Sequence, residues 1–185
     1  MTGIILFLIG LIVGGALWFA KSNYLGFRSQ RPTFYAKEGP AFDLRAEMDG
    51  KIDCQGMIFD YFGRMNGRFS AEMNASWTGN KAEVSEGFVY SSGRKHDRQW
   101  TVELGEDGRF TAIAPDIIGV GLGQQSGATV RLEYRIRLPD DVGGHVLDVV
   151  DWMYLTDSGT ILNRSEFRKF GIKVAELFAT MRKID

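Results

Sequence analysis

The amino-acid sequence predicts an all-β protein, an antiparallel barrel of about eight or nine strands, preceded by one N-terminal transmembrane helix. Three observations carry that expectation. An uncharged apolar run, GIILFLIGLIVGGALWFA, fills residues 3–20. Further on, RFSAEMNASW (68–77) and TVRLEYRIRLP (129–139) alternate apolar and polar residues with a period of two, the signature of a strand with one buried face. The junctions SSGRKH, GEDG, PDDVGGH and TDSG supply turn residues between such segments, with no amphipathic helix intervening.

The N-terminal run comes first in order. Roughly 18–20 apolar residues at about 1.5 Å each are enough to cross a bilayer core. A secretory signal would open on a basic segment and end at small residues, whereas this chain opens on MTG and its apolar run continues through Trp18 and Phe19. Cleavage after Ala16 is the alternative. The expected organisation is an anchor over 1–20, a juxtamembrane linker over 21–41 containing Pro32 and Pro40, and a barrel domain over 42–185. Lys21, Arg28 and Arg31 flank the run on its C-terminal side, so the positive-inside rule places the domain on the cytoplasmic face of a bacterial inner membrane. Export of the domain behind an atypical signal-anchor, into the periplasm, is the other arrangement.

The two alternating segments read as strands, with Phe69, Ala71, Met73, Ala75 and Trp77 on one face of the first and Val130, Leu132, Tyr134, Ile136 and Leu138 on one face of the second. Weaker strand patterns cover about 52–62, 82–90, 98–104, 109–118, 147–156 and 160–166. Successive short strands joined by tight turns form an antiparallel meander. Closure into a barrel removes its exposed edges and leaves room for one small ligand. In FGIKVAELFATMRK the apolar residues fit both a helical stripe and a strand face; propensity favours helix from Ala175 onward, and closure of the barrel requires a strand.

Composition removes several function classes. A net charge of -1 provides no field to hold polyanions, and no basic run is interleaved with aromatics, so nucleic acid is not an expected partner. The single Cys54 and two distant histidines, His96 and His145, match no disulfide, redox pair or metal spacing, and no metal or cofactor is expected. GVGLG (119–123) lacks the GxGxxG spacing and the Lys-Ser/Thr of a phosphate loop; its glycines suit a bulge, a bend or a close backbone approach.

The succession GPAFDL (39–44), Gly56-Met57, EVSEGFVY (83–90), RQW (98–100), PDIIGVGLG (115–123), SGAT, DWMYL and NRSEFRKFGIKV resembles a bacterial envelope family, domain of unknown function 3833, over about residues 39–183. DWMYL with NR…KFGIK is the most specific part. The resemblance implies a lipocalin-like barrel with no established activity, commonly held at the membrane as a lipoprotein. This chain has a transmembrane-length anchor and no lipidated cysteine after it, a departure from that pattern.

Strand parity selects the polar residues that enter the barrel. Glu86 shares a face with Val84, Phe88 and Tyr90, and Arg98 with Trp100, Val102 and Leu104. If those strands pair through SSGRKH, a carboxylate and a guanidinium enter one interior, either as a ligand anchor or as a structural ion pair near the rim. Asp116 follows Phe110, Ala112 and Ala114 on an inner face. Asp151 (or Asp148) and Arg164 are expected as a structural pair fixing the register of the hairpin around TDSG, and Trp152 with Tyr154 offers aromatic surface if that strand turns them inward. The candidate ligand contacts are therefore Glu86, Arg98, Trp100, Asp116, Tyr134 and Trp152. No catalytic constellation is expected, since a glycosidase needs two carboxylates opposed across a cleft and a serine hydrolase a nucleophile, a base and an orienting acid, and neither histidine has an obvious partner in the sequence. The expected function is non-catalytic binding of a small apolar or lipid-like ligand by a membrane-tethered barrel. The alternative is an accessory subunit docked on a membrane protein complex, with the basic outer face Arg131, Arg135 and Arg137 meeting anionic headgroups or an acidic partner.

Overall fold

The computed structural model describes residues 2–184, the side chains of residues 22 and 23 excepted. The chain divides at Arg31/Pro32 into two compact units. The first contains helix α1, Thr2–Tyr24. Its stretch Thr2–Lys21 is long and apolar enough to span a membrane, a test that a signal sequence also passes.

Among the described residues, the second unit is a closed antiparallel barrel of ten strands. They are β1 (Gly50–Asp60), β2 (Met65–Thr78), β3 (Lys81–Tyr90), β4 (Lys95–Leu104), β5 (Arg109–Ile113), β6 (Gly121–Ser126), β7 (Thr129–Arg137), β8 (Val146–Leu155), β9 (Ile161–Lys169) and β10 (Ile172–Lys183). Each strand pairs with its neighbours in sequence, and β10 closes on β1 from Ile52↔Lys183 to Asp60↔Ala175. The ambiguous C-terminal segment is thus a strand. Its helical propensity is overridden because β1 would otherwise leave a row of unpaired backbone groups at an open edge.

One strand more is present than the sequence pattern suggests. The expected strand over 109–118 ends at Ile113, and GLGQQS forms β6, which its glycines and glutamines hide from any hydrophobic pattern. Gly123 faces Phe110 across the β5–β6 pair, and a Cβ there would lie 2.0 Å from the Phe110 ring. Gly56 and Phe69 repeat the arrangement across β1–β2, with 2.4 Å available. In both places an aromatic ring fills the space over a cross-strand glycine, which is the close approach that such residues permit.

Because the strands run up and down, the connections alternate between two ends. Residues 61–64, 91–94, 114–120, 138–145 and 170–171 form one end, called the mouth; 79–80, 105–108, 127–128 and 156–160 form the other, the base. The short helix α2, Leu44–Glu47, lies at the base, started by the Asp43 side chain accepting from the Arg45 backbone N–H. Leu44 and Met48 there join the buried core. Trp77 Nε1 donates to the Met48 carbonyl at 2.8 Å and Lys183 Nζ to that of Ala46 at 3.0 Å, fixing this closure to β2 and β10. Cys54 is buried on the inner wall of β1, and burial, with Glu86 and Asp53 adding to it, pushes its thiol up to about 12, so it is an inert core residue.

Candidate functional site

The barrel encloses a cavity of about 370 Å³. Its lower part, toward the base, is lined by Leu44, Met48, Met73, Val84, Phe110 and Leu132, and its upper part by Phe88, Ile136, Leu138, Leu147 and Phe167. Between them runs a polar belt formed by Glu86 on β3, Arg98 on β4, Tyr134 on β7, Asp151 on β8 and Ser165 on β9, with Asp116 reaching in from the β5–β6 connection. At the mouth Arg94 Nη2 meets Asp141 Oδ1 at 3.2 Å, tying the β3–β4 turn to the β7–β8 turn beside the lining residues Pro139 and Val142.

Strand pairing sets this belt. Glu86 and Arg98 are direct cross-strand partners and both line the cavity, as their parity implies. Their bonds go elsewhere, however. Arg98 Nε is 3.0 Å from Asp116 Oδ1, with both side chains largely buried, and its guanidinium lies 4.0 Å above the Trp100 ring. Glu86 Oε2 accepts from Trp100 Nε1 at 3.1 Å. The Trp100 ring stands edge-on to Tyr134 at 5.5 Å, so the indole contacts the cation and the phenol at once.

Burial pushes the Glu86 carboxyl above the usual range, partly offset by the Arg98 charge and the Trp100 hydrogen bond. Asp151 is pushed up to about 6 by burial, against the opposing pull of the Ser165 and Tyr134 hydroxyls and of Arg98. Among the described residues, Arg98 Nη2 and Asp151 Oδ1 are buried without a hydrogen-bond partner. A donor and an acceptor are therefore left open on one belt, where an unsatisfied polar group is costly.

The raised carboxyl of Asp151 carries a pH dependence. A folded-state value of about 6 against 3.8 means that the native state binds more protons, so its stability falls as pH rises from about 4 to about 6. Asp151→Asn removes that loss. Wild type and variant are expected to match near pH 4, and above pH 7 the variant is expected to be the more stable by up to about 3 kcal/mol. Urea unfolding of both proteins across this range measures it; a difference that does not grow with pH refutes the assignment.

Two expectations about the β8–β9 hairpin are corrected. Asp151 and Arg164 do not pair, because the register sets Asp151 against Ser165 on the inner face and Trp152 against Arg164 on the outer face. Arg164 Nη2 instead meets Glu176 Oε1 on β10 at 2.8 Å. Trp152 is fully buried but does not line the cavity: it lies outside the barrel wall, under Tyr35, whose ring packs edge-on against Trp152 at 5.4 Å and Tyr154 at 5.9 Å. Glu86, Arg98, Trp100, Asp116 and Tyr134 are thus brought together, and Trp152 is not.

The sequence reading missed Asn163, Ser165 and Met153 on the wall and His96 at the mouth, all of which line the cavity. His96 belongs to β4 rather than to a turn. The signal for Asn163 and Ser165 was there: both fall at the inward parity of Ile161 and Phe167. Of the basic outer face, Arg131 pairs with Glu133 and Arg135 with Asp148 at 3.2 Å, so it is substantially neutralised.

No curated protein matches this chain in sequence. Among solved structures it is similar to the S-type phycobiliprotein lyase CPES from Guillardia theta, with a TM-score of 0.57 and 7% identity over 84% of this chain and 98% of that one. It is also similar to Rv2717c from M. tuberculosis, with a TM-score of 0.53 and 15% identity over 80% of this chain and all of the other. At such identities the likeness is one of fold, a lipocalin-like barrel. The family model described as Protein of unknown function (DUF3833) matches residues 22–183, nearly the whole of the barrel and the segment before it, and the chain belongs to that family.

Proposed function

We propose that this protein is a membrane-anchored, non-catalytic carrier that binds one small amphipathic, lipid-like molecule inside the barrel, polar end inward. The observation that carries this reading is the cavity itself: about 370 Å³ of mainly apolar wall interrupted by a belt on which Arg98 Nη2 and Asp151 Oδ1 are open. That volume is within the range of small-molecule sites. Glu86, Arg98, Trp100, Asp116 and Tyr134 are the proposed contacts. A head group offering both an acceptor to Arg98 and a donor to Asp151 satisfies both open atoms, and its hydrocarbon part fits the apolar walls.

Anchoring through residues 1–20, with 21–41 as linker and 42–185 as binding domain, is part of the proposal, supported by the apolar helix. The basic flank Lys21, Arg28 and Arg31 favours a cytoplasmic domain at a bacterial inner membrane. Lipocalin-like neighbours, one of them a phycobiliprotein lyase by name, support a ligand in the interior. The second reading, an accessory subunit on a membrane protein complex, is favoured by the exposed Met57, Leu162 and Phe178 on the outer wall of β1, β9 and β10.

Native mass spectrometry of the full chain, extracted in detergent with its N-terminus intact, tests the first reading. The expected spectrum shows one small molecule retained per chain and recovered unchanged after prolonged incubation. A chain that retains nothing refutes ligand carriage, a retained protein chain in place of a small molecule supports the accessory reading, and a chemically altered ligand shows an enzyme.

A further inference from the structure

We infer that the mouth of the barrel docks on a phospholipid bilayer surface, through turn tips that each present an exposed phenylalanine beside a cation. The two ends of the barrel differ sharply. At the mouth, Phe170 in the β9–β10 turn is 91% exposed and Phe62 in the β1–β2 turn is 77% exposed. Lys169 Nζ lies 5.7 Å from the centre of the Phe170 ring, and the Arg64 guanidinium 5.7 Å from that of Phe62. Val120 and Val142, on two further mouth connections, are exposed as well. At the base, none of the described residues in the turns 79–80, 105–108, 127–128 and 156–160 is an exposed large hydrophobic.

Folding supplies no reason for the phenylalanines. Phe170 and Gly171 are the two central residues of a tight hairpin turn between Lys169 and Ile172, with φ 52° and 78°. Such a turn favours Asn-Gly or Asp-Gly, because its first position also requires the left-handed region. A bulky aromatic there is strained, and being almost fully exposed it gains nothing from the core. Phe62 is equally dispensable to its own turn, in which Asp60 Oδ1 accepts from the backbone N–H groups of Phe62 and Arg64, both at 2.9 Å.

Aromatic rings with adjacent Lys or Arg are the side chains that settle at headgroup depth, the ring among the upper acyl chains and the cation against lipid phosphates. The tips stand on separate turns around an opening, so they present no continuous face for a folded protein, whereas a fluid interface takes each tip independently. Resting on the ligand reading above, a mouth held at the bilayer gives a lipid-like molecule a way in without crossing water. The docking itself stands on the exposed tips alone.

The test uses the full chain reconstituted in nanodiscs of mixed zwitterionic and anionic phospholipid. With the buried Cys54 replaced by Ala, a nitroxide is attached at Tyr61→Cys or Ile172→Cys at the mouth, or at Ser158→Cys at the base. Collision rates with oxygen and with a water-soluble nickel chelate report depth. Labels at 61 and 172 are expected to collide with the nickel chelate several-fold less than the label at 158, and more with oxygen. Phe62→Ser combined with Phe170→Ser is expected to return the label at 61 to water. Thermal unfolding is expected to be unchanged, since neither ring belongs to the core. Labels at 61 and 172 as aqueous as the one at 158, or immersion that survives loss of both rings, overturns the inference. Ligand retention by the same samples is read separately by mass spectrometry, so failure of docking and failure of carriage are distinguishable.

Discussion

Arg98→Met is expected to destabilise the ligand-free protein by about 3–5 kcal/mol, the cost of removing one partner of a buried ion pair. For a chain of this length that corresponds to a fall of roughly 6–20 °C in Tm. The guanidinium bonds Asp116 at 3.0 Å and stacks on Trp100 at 4.0 Å, and its charge also restrains the upward shifts of Glu86 and Asp151. Methionine fills a similar volume and supplies none of this. Asp116 is left without its partner, while the two other carboxyls rise further and take up protons. The loss is therefore expected to be largest at alkaline pH and to shrink as pH falls and the belt neutralises. Arg98→Met combined with Asp116→Leu is expected to recover part of the stability, because Asp116 is no longer left as an orphan charge, while Glu86 and Asp151 still lose the restraint of the guanidinium. Arg98→Lys is expected to recover little, since an ammonium cannot reproduce the planar stack on Trp100. Denaturant unfolding of the three variants at pH 6 and pH 9 decides the matter; wild-type stability in Arg98→Met shows that the pair is not a structural element of the belt.

The same residues show what strand parity can and cannot reveal. Where a strand has one buried face, as in β2, alternation identified the inward residues correctly, because outward positions meet water and are polar. Glu86 and Arg98 were found this way, as polar residues at inward parity. The partner of Arg98 was not, because Asp116 lies on an irregular connection after β5 and its approach depends on where the strand ends. In β8 the alternation fails: Val149 and Leu147 face the interior while Val150 and Trp152 are buried outside it, so both faces read as apolar. Nothing local distinguishes a tryptophan in the cavity from one beneath residues 32–38. The same long-range cover explains why the segment before the barrel reads as a plain linker. Its apolar partners are strands more than a hundred residues away.

The strand β6 was illegible for a different reason. GLGQQS has little β propensity, and its position is determined by its neighbours, β5 and β7, which would otherwise each carry an unpaired edge within a closed barrel. Of the bulge, bend or close approach that the glycines of GVGLG suit, close approach is what Gly121 and Gly123 provide, to the backbone and ring that crowd them. They do not mark a phosphate loop. The C-terminal segment shows the same hierarchy, with backbone pairing to β1 deciding against the helical preference of Ala175–Thr180.

Gly127→Ala is expected to cost about 2–4 kcal/mol, combining overpacking with a left-handed backbone position. Gly127 lies in the β6–β7 turn at φ 52°, and a Cβ on it would stand 1.8 Å from the Tyr35 carbonyl oxygen and 2.7 Å from that of Glu38. Both are backbone atoms, so no side-chain rotation relieves the clash and the strip 35–38 must move. Just beyond it, Phe42 N–H donates to the Gly127 carbonyl at 2.8 Å, which ties the strip to the same turn and limits how it can yield. Displacing Tyr35 uncovers Trp152, so the variant is expected to gain an indole open to acrylamide quenching, a gain that disappears when Trp152→Phe is added. Gly159→Ala is the matched control: its φ is 75°, yet nothing lies within 4 Å of the added carbon, so only the backbone term of about 1 kcal/mol applies. The difference between the two variants measures the seating of residues 35–38 on the barrel. Equal losses, with Trp152 still shielded in Gly127→Ala, would mean that the strip does not hold that position in solution.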